Sequence, residues 1–216
     1  MKKEEYQGTA KGVREAALSL IPKTDKKLKI ADLGCGWGTI GKFLKNRGHE
    51  VFFCDKKQLE IENFKKHDLN EGIPYDDGFF DCAFAIEVIE HLEDPWKFLR
   101  EIHRILKPGG FCIISTPNIL NIKSRLMFLS SGYFQWFQPK DLDESEHINP
   151  IPFWELFTIA KKVGFRITGL KTNSRVTVEG MENDPYLDKE VPDAIKHGEI
   201  LILSLTKAVA MGQKNN

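Results

Sequence analysis

Apolar positions along the chain follow helical spacing at first, then alternate between short buried runs and helical stretches. Tyr6, Ala10, Val13, Ala17 and Leu20 share one helical face and Pro22 ends the segment, which predicts an amphipathic N-terminal helix. Leu28–Leu33 is a short apolar run that stops at a glycine cluster. Thr39–Arg47 follows, with Ile40, Phe43 and Leu44 on one face and Gly48 as its stop, so strand, glycine turn and helix succeed one another. Val51–Cys54 predicts a second strand ending at Asp55. Only 13 positions separate Asp55 from Asp68, too few for an ordinary crossover helix, and a third strand is expected near Asn63–His67.

Phe80–Ile86 predicts a fourth strand. Asp94 as N-cap and Pro95 at the first helical position open a helix that buries Phe98, Leu99, Ile102, Ile105 and Leu106 and stops at Lys107-Pro-Gly-Gly. Phe111–Ser115 predicts a fifth strand. Pro152 opens a further helix with Phe153, Leu156, Phe157, Ala160 and Val163 inward, ending at Gly164, and Phe165–Leu170 and Glu199–Thr206 predict two closing strands. Residues 174–198 read as a polar loop, 118–150 as an irregular insertion and 210–216 as a frayed tail. Strand and helix alternating in this way imply an α/β fold, a mostly parallel sheet covered on both faces. The 216 residues are expected to make one domain, at about 100–200 residues per domain.

Composition narrows the function. The 31 Lys and Arg balance 31 Asp and Glu, so no bulk cationic surface recommends nucleic acid as partner. Cys35, Cys54, Cys82 and Cys112 are 19, 28 and 30 positions apart, a spacing unlike a metal finger or a disulfide framework. The charged start of the chain lacks an apolar core for a secretory signal, and the uncharged run Leu126–Pro139, 14 residues, is too short for a membrane span. A cytoplasmic location is expected.

The strongest chemical signal is Ala31-Asp-Leu-Gly-Cys-Gly-Trp-Gly-Thr39. Gly34, Gly36 and Gly38 let the backbone approach a ligand at the end of the first strand. A dinucleotide fingerprint needs a glycine at the sixth position from Gly34, where Thr39 stands. Asp32 suits an ammonium group better than a pyrophosphate, which points to a zwitterionic ligand. Asp55 at the second strand tip can accept ribose hydroxyls, and Asp68 can accept from an adenine amino group.

Taken together, DLGCGWG, the strand-tip Asp55, HDL, FFDCAFAIEVIEHLEDP and LREIHRILKPGG resemble class I S-adenosylmethionine (AdoMet)-dependent methyltransferases over about Lys29–Asn118. The resemblance implies a Rossmann-like, seven-stranded, mostly parallel sheet with a final antiparallel strand, and AdoMet as cofactor. Carried over, Asp32 and the turn Gly34, Cys35, Gly36, Trp37 and Gly38 face the methionine moiety. Asp55 with Lys56 faces the ribose, Asp68 with Leu69 the adenine, and Glu87 the junction with substrate.

Glu87, Glu90 and His91 are spaced i, i+3 and i+4, which predicts one shared side of a helical turn, and His147 returns toward the strand tips in Glu144-Ser-Glu-His-Ile-Asn-Pro150. His91 and His147, with Glu87, are the candidate bases or orienting groups, and Glu90 alone reads as a helix N-terminal residue. The same four residues are candidate ligands for a divalent metal. In this they partly resemble small-RNA 2′-O-methyltransferases, and ExxEH also recurs in ubiquinone-pathway O-methyltransferases. We prefer the base to the metal. Five of the ten residues in Phe128–Phe137 are aromatic, against 11% for the chain, enough to line a pocket or to pack the insertion, and the second is preferred. Ile122, Leu126 and Leu129 sit at helical spacing, and Lys123 and Arg125 read as the solvated face of that helix. The expected activity is methylation of a small-molecule or lipid-linked acceptor, with oxygen favoured. An RNA 2′-O-methyltransferase and a non-catalytic AdoMet-binding subunit are the alternatives.

Overall fold

A computed structural model describes residues 10–175 and 193–209. Its frame is a seven-stranded sheet in the order β3-β2-β1-β4-β5-β7-β6. β1 (Lys29–Leu33), β2 (Glu50–Asp55), β3 (Phe64–Lys66), β4 (Phe80–Ile86) and β5 (Leu106–Pro117) run parallel, whereas β7 (Ile200–Lys207) lies antiparallel between β5 and β6 (Phe165–Thr172). Both faces are covered, so the central strands are apolar almost without alternation: every residue of β4 except Asp81 is buried.

One face holds α1 (Val13–Leu18) and α2 (Thr39–Asn46), whose Val13, Ala17, Ile40 and Leu44 pack with Phe53 and Phe84. The other holds α3 (Pro95–Ile105) and α6 (Phe153–Val163), whose Leu99, Ile102, Leu156 and Ile159 pack with Ala83 and Leu203. Asp94 caps α3 by accepting from the Lys97 amide at 2.8 Å. Between β2 and β3 there is no helix, as the short spacing required.

Several expectations need correction. α1 begins only at Val13, because Gly12 in the left-handed region (φ +85°) starts the helix there, and Leu20 lies beyond its end; Tyr6 is outside the described residues. Leu106 is the first residue of β5 rather than the end of α3, and Lys107-Pro-Gly-Gly is a bulge within that strand. Leu106 pairs with Phe80 and Phe111 with Cys82, so four residues stand opposite Asp81 alone. The insertion is more regular than its pattern suggests, with α4 (Ile122–Ser131) and α5 (Pro139–Ser145), and Leu129 is exposed rather than inward. A short helix, α7 (Asp193–His197), stands in the expected polar loop; most of that loop, and 210–216, lie outside the described residues.

Candidate active site at the strand tips

The carboxyl ends of β1, β2 and β4 surround a cavity of about 600 Å³, within the range of small-molecule sites. Its floor is the turn after β1, where Gly34, Gly36 and Gly38 all have positive φ. A Cβ on Gly34 would meet Val88 Cγ2 at 2.6 Å, whereas one on Gly36 would meet nothing within 4 Å, leaving bare backbone toward open space. The next glycine is equally constrained: a Cβ on Gly41 would come 2.2 Å from the Phe53 ring and 2.6 Å from Asp32 Oδ2. That closeness lets the Gly41 amide donate to Asp32 Oδ2 at 2.9 Å, and burial raises the Asp32 carboxyl to about 7 despite this bond.

Asp55 is oriented from two sides. Its Oδ2 accepts from the Gly36 amide and its Oδ1 from the Lys57 amide, both at 2.8 Å, so each oxygen keeps a lone pair for another donor. Asp68 Oδ1 accepts from the Asn70 amide at 2.9 Å in an Asx turn. Across the cavity, Glu87 takes positive φ (+54°), and its Oε2 accepts from the Ala10 amide at 3.1 Å, tying the N-terminal segment to the site; burial raises its carboxyl.

Behind the wall, Ile89–His91 forms a 3₁₀ turn. Because Glu87 is left-handed, the i, i+3, i+4 geometry breaks and Glu87 stays outside the cluster that the other two make with His147. Glu90 is not a solvated helix-end residue. It is 0% exposed, and neither carboxylate oxygen has a hydrogen-bond partner. Burial, and then the Glu87 carboxylate, lift its carboxyl well above the usual range. One ligand atom from each of Glu90, His91 and His147 lies within 4.8 Å of the others, and the two imidazole rings are 4.8 Å apart. His91 Nδ1 faces the Glu146 carbonyl at 3.2 Å and His147 Nδ1 the Trp136 carbonyl at 2.8 Å. A carbonyl only accepts, so both Nδ1 atoms carry the proton and both Nε2 lone pairs are free.

Known proteins agree with this frame. A family model described as a methyltransferase domain matches residues 31–114. The ubiquinone biosynthesis O-methyltransferase of Ruegeria pomeroyi is 31% identical over 151 residues, 63% of this chain and 59% of that protein. Its counterpart from Rickettsia conorii is 29% identical over 159 residues, 68% and 55% respectively. A SAM-dependent methyltransferase structure from Archaeoglobus fulgidus superposes with a TM-score of 0.65 at 19% identity, over 90% of this chain and 93% of that one. Residues 31–114 thus match a methyltransferase domain, and the fold is that of SAM-dependent methyltransferases. The chain spans little more than half the length of the two curated relatives.

AdoMet, the cofactor of such methyltransferases, can be tested against the cavity. The bare backbone at Gly36 leaves room for close approach, and the two lone pairs on Asp55 match a vicinal diol. Ten of the eleven cofactor candidates stand on the wall: Asp32, Gly34, Cys35, Gly36, Trp37, Asp55, Lys56, Asp68, Leu69 and Glu87. Gly38 serves instead as the left-handed N-cap of α2. His91 is on the wall as well; Glu90 and His147 are set behind it.

The insertion supplies wall residues that the sequence reading missed. Glu144, Ser145 and Glu146 border the cavity, and Glu146, at φ +56°, pairs its carboxylate with Lys56 while its carbonyl faces His91. Nothing local announces that pairing, since the partners are 90 positions apart. α5 did leave a signal: Pro139 at the first helical position and Asp141 two residues on, whose Oδ2 accepts from the Gln138 amide at 2.9 Å.

Proposed function

We propose that the protein is an AdoMet-dependent methyltransferase acting on an oxygen of a small-molecule or lipid-linked acceptor. The observation that carries this reading is the cavity itself, lined by Asp55, whose two oxygens each accept one backbone amide, and by His91, whose Nδ1 faces the Glu146 carbonyl. The names of the ubiquinone-pathway relatives support the choice of oxygen and of a small acceptor.

When bound, AdoMet supplies an electrophilic methyl group on a sulfonium. The protein's part is to hold, orient and deprotonate. Asp55 takes the ribose hydroxyls, Asp68 with the Leu69 backbone the adenine, and Asp32 with the glycine turn the methionine end. His91 is the base. Burial, then the neighbouring His147, lowers its pKa, so the ring is neutral near pH 7 with Nε2 ready to take the acceptor proton. His147 orients the pair from the insertion, and Glu87 shapes the substrate junction.

One observation favours a second version of the same reaction. A buried carboxylate without a partner beside two imidazoles whose Nδ1 atoms are already anchored is a donor set that fits a divalent cation such as Mn²⁺ or Mg²⁺. Glu90, His91 and His147 would hold it, and it would lower the pKa of an acceptor hydroxyl. We further read residues 1–216 as one catalytic domain in a reducing, cytoplasmic setting, to which four free thiols are suited.

Incubating metabolite and lipid extracts with methyl-labelled AdoMet, with and without exhaustive chelation, tests both versions. Label in a small acceptor, retained after chelation and lost in His91→Ala, supports His91 as base. Loss on chelation with recovery in Mn²⁺ or Mg²⁺ assigns Glu90, His91 and His147 to a metal. Tight AdoMet binding with no labelled product overturns the enzymatic reading in favour of a regulatory subunit.

A further inference from the structure

The aromatic-rich stretch of the insertion does not line the cavity. It lies on the outside: Phe128 is 46% exposed, Leu129 81%, Tyr133 47% and Trp136 38%. Four large apolar side chains exposed within nine residues form a patch of the kind that marks an interaction surface. Phe128 stacks on Phe134 with centroids 4.5 Å apart, which joins the end of α4 to the loop after it. Arg125 precedes Phe128 and Leu129 by three and four positions, so it belongs to the same stripe of α4, whereas Lys123, two positions before Arg125, is exposed on the other side of the helix.

Charge decides what this surface suits. Residues 118–140 contain three basic residues and no acidic one, although the chain's average would place about three acids there. Of the acids that follow, Asp141 caps α5 and Glu144 and Glu146 border the cavity, which leaves Asp143, exposed on α5, as the one acid of that helix turned to solvent without either role. In a chain of zero net charge this is a stretch of local positive charge, with Arg125 beside the exposed Phe and Leu. Tyr and Trp favour the headgroup level of a bilayer, aliphatic side chains the acyl boundary, and Lys and Arg anionic lipid. A second copy packed symmetrically on the same patch would bring Arg125 near its own counterpart, which disfavours that occupant.

We propose that Phe128, Leu129, Tyr133 and Trp136, with Arg125, form a peripheral docking surface for an anionic lipid bilayer. No described helix is long and apolar enough to cross a membrane, so contact is confined to one face. The patch is continuous with the site: the Trp136 carbonyl accepts from His147, and the Phe137 ring lies 5.5 Å from the His147 ring. Docking there sets the insertion and the cavity it borders at the lipid interface.

Co-sedimentation of the full chain with phosphatidylcholine vesicles containing phosphatidylglycerol, against phosphatidylcholine alone, tests the surface without any methyl acceptor. Binding to the anionic vesicles that weakens with salt is expected. Arg125→Gln should lower partitioning about fivefold, from the contribution of one basic residue near an anionic surface. Leu129→Ser, a change at an exposed position, should lower it about tenfold with unchanged melting temperature. Equal binding to both vesicle types, no binding to either, or anionic binding that both variants retain would overturn the proposal. So would a dimer in solution that Leu129→Asp dissociates without any vesicle binding by the parent chain.

Discussion

The floor of the cavity and its cover are built by different means. The floor is backbone, in which Gly34 packs against Val88 and the Gly36 and Gly41 amides reach Asp55 and Asp32. The cover is held by contacts that cross the chain: the Glu90 carbonyl accepts from the Ile148 and Asn149 amides, both at 3.0 Å, Leu92 O accepts from Asn149 Nδ2 at 3.1 Å, and Lys56 pairs with Glu146. A floor made this way tolerates almost no added volume at Gly34 or Gly41, whereas a cover of a few surface contacts can be loosened one contact at a time. Stability and cofactor affinity should therefore reside in the floor.

Gly41→Ala attacks that distinction hardest. The new methyl would stand 2.2 Å from a carbon of the buried Phe53 ring, so either the ring or α2 must shift. We expect a loss of about 3 kcal/mol or more and a fall in melting temperature of about 6–12 °C, measured by thermal unfolding. A mild effect would mean that the floor is not as tightly packed as described.

Asp32→Asn probes the same floor by charge. The Asp32 carboxyl is raised from 3.8 to about 7 by burial, so the stability it contributes is fully present below its unfolded value and is lost as pH rises through about 7. The asparagine variant lacks that titration. Its melting temperature without ligand should match the parent near pH 4 and exceed it increasingly up to pH 8, by an amount equivalent to a few kcal/mol. AdoMet affinity should fall at the same time, because the ammonium group loses its carboxylate. Parallel pH profiles for the two proteins would remove Asp32 from this role.

Asp32 also shows why the floor was legible. Glycine spacing, a carboxylate at a strand tip and an acidic residue before a glycine turn are local signals tied to local backbone geometry, and the strands themselves are nearly continuous apolar runs. Legibility ended where geometry depended on distant partners. Glu87, Glu90 and His91 looked like one helical face until the left-handed backbone at Glu87 broke it. Glu90 looked like a solvated end residue, although its burial depends on elements brought over it from elsewhere in the chain. Lys107-Pro-Gly-Gly did stop α3, but its place as a bulge in β5 depends on register with β4.

Asp55→Ala tests the floor's link to the cofactor. It removes the acceptor for the Gly36 and Lys57 amides as well as the proposed ribose contact. Calorimetry should show AdoMet binding weakened by about 1.5–3 kcal/mol, with acceptor KM changed far less. Unchanged AdoMet affinity would break the assignment of floor to cofactor.

The smallest effect belongs to the cover. Lys56 and Glu146 are both about half exposed, so solvent and salt screen their attraction, and a double-mutant cycle with Lys56→Met and Glu146→Gln should give a coupling of about 0.2–1 kcal/mol in thermal stability, diminishing with added salt. Burial does nothing to strengthen this pair, and the Glu146 carboxyl is held below its usual range mainly by the Lys56 ammonium itself. Its importance is positional: the same residue gives its carbonyl to His91 Nδ1, so loosening the carboxylate frees the backbone that fixes the imidazole. Glu146→Gln should accordingly raise acceptor KM severalfold while AdoMet affinity stays near the parent value. If AdoMet affinity falls as much as acceptor use, the cover is part of the cofactor site and the division between floor and cover fails.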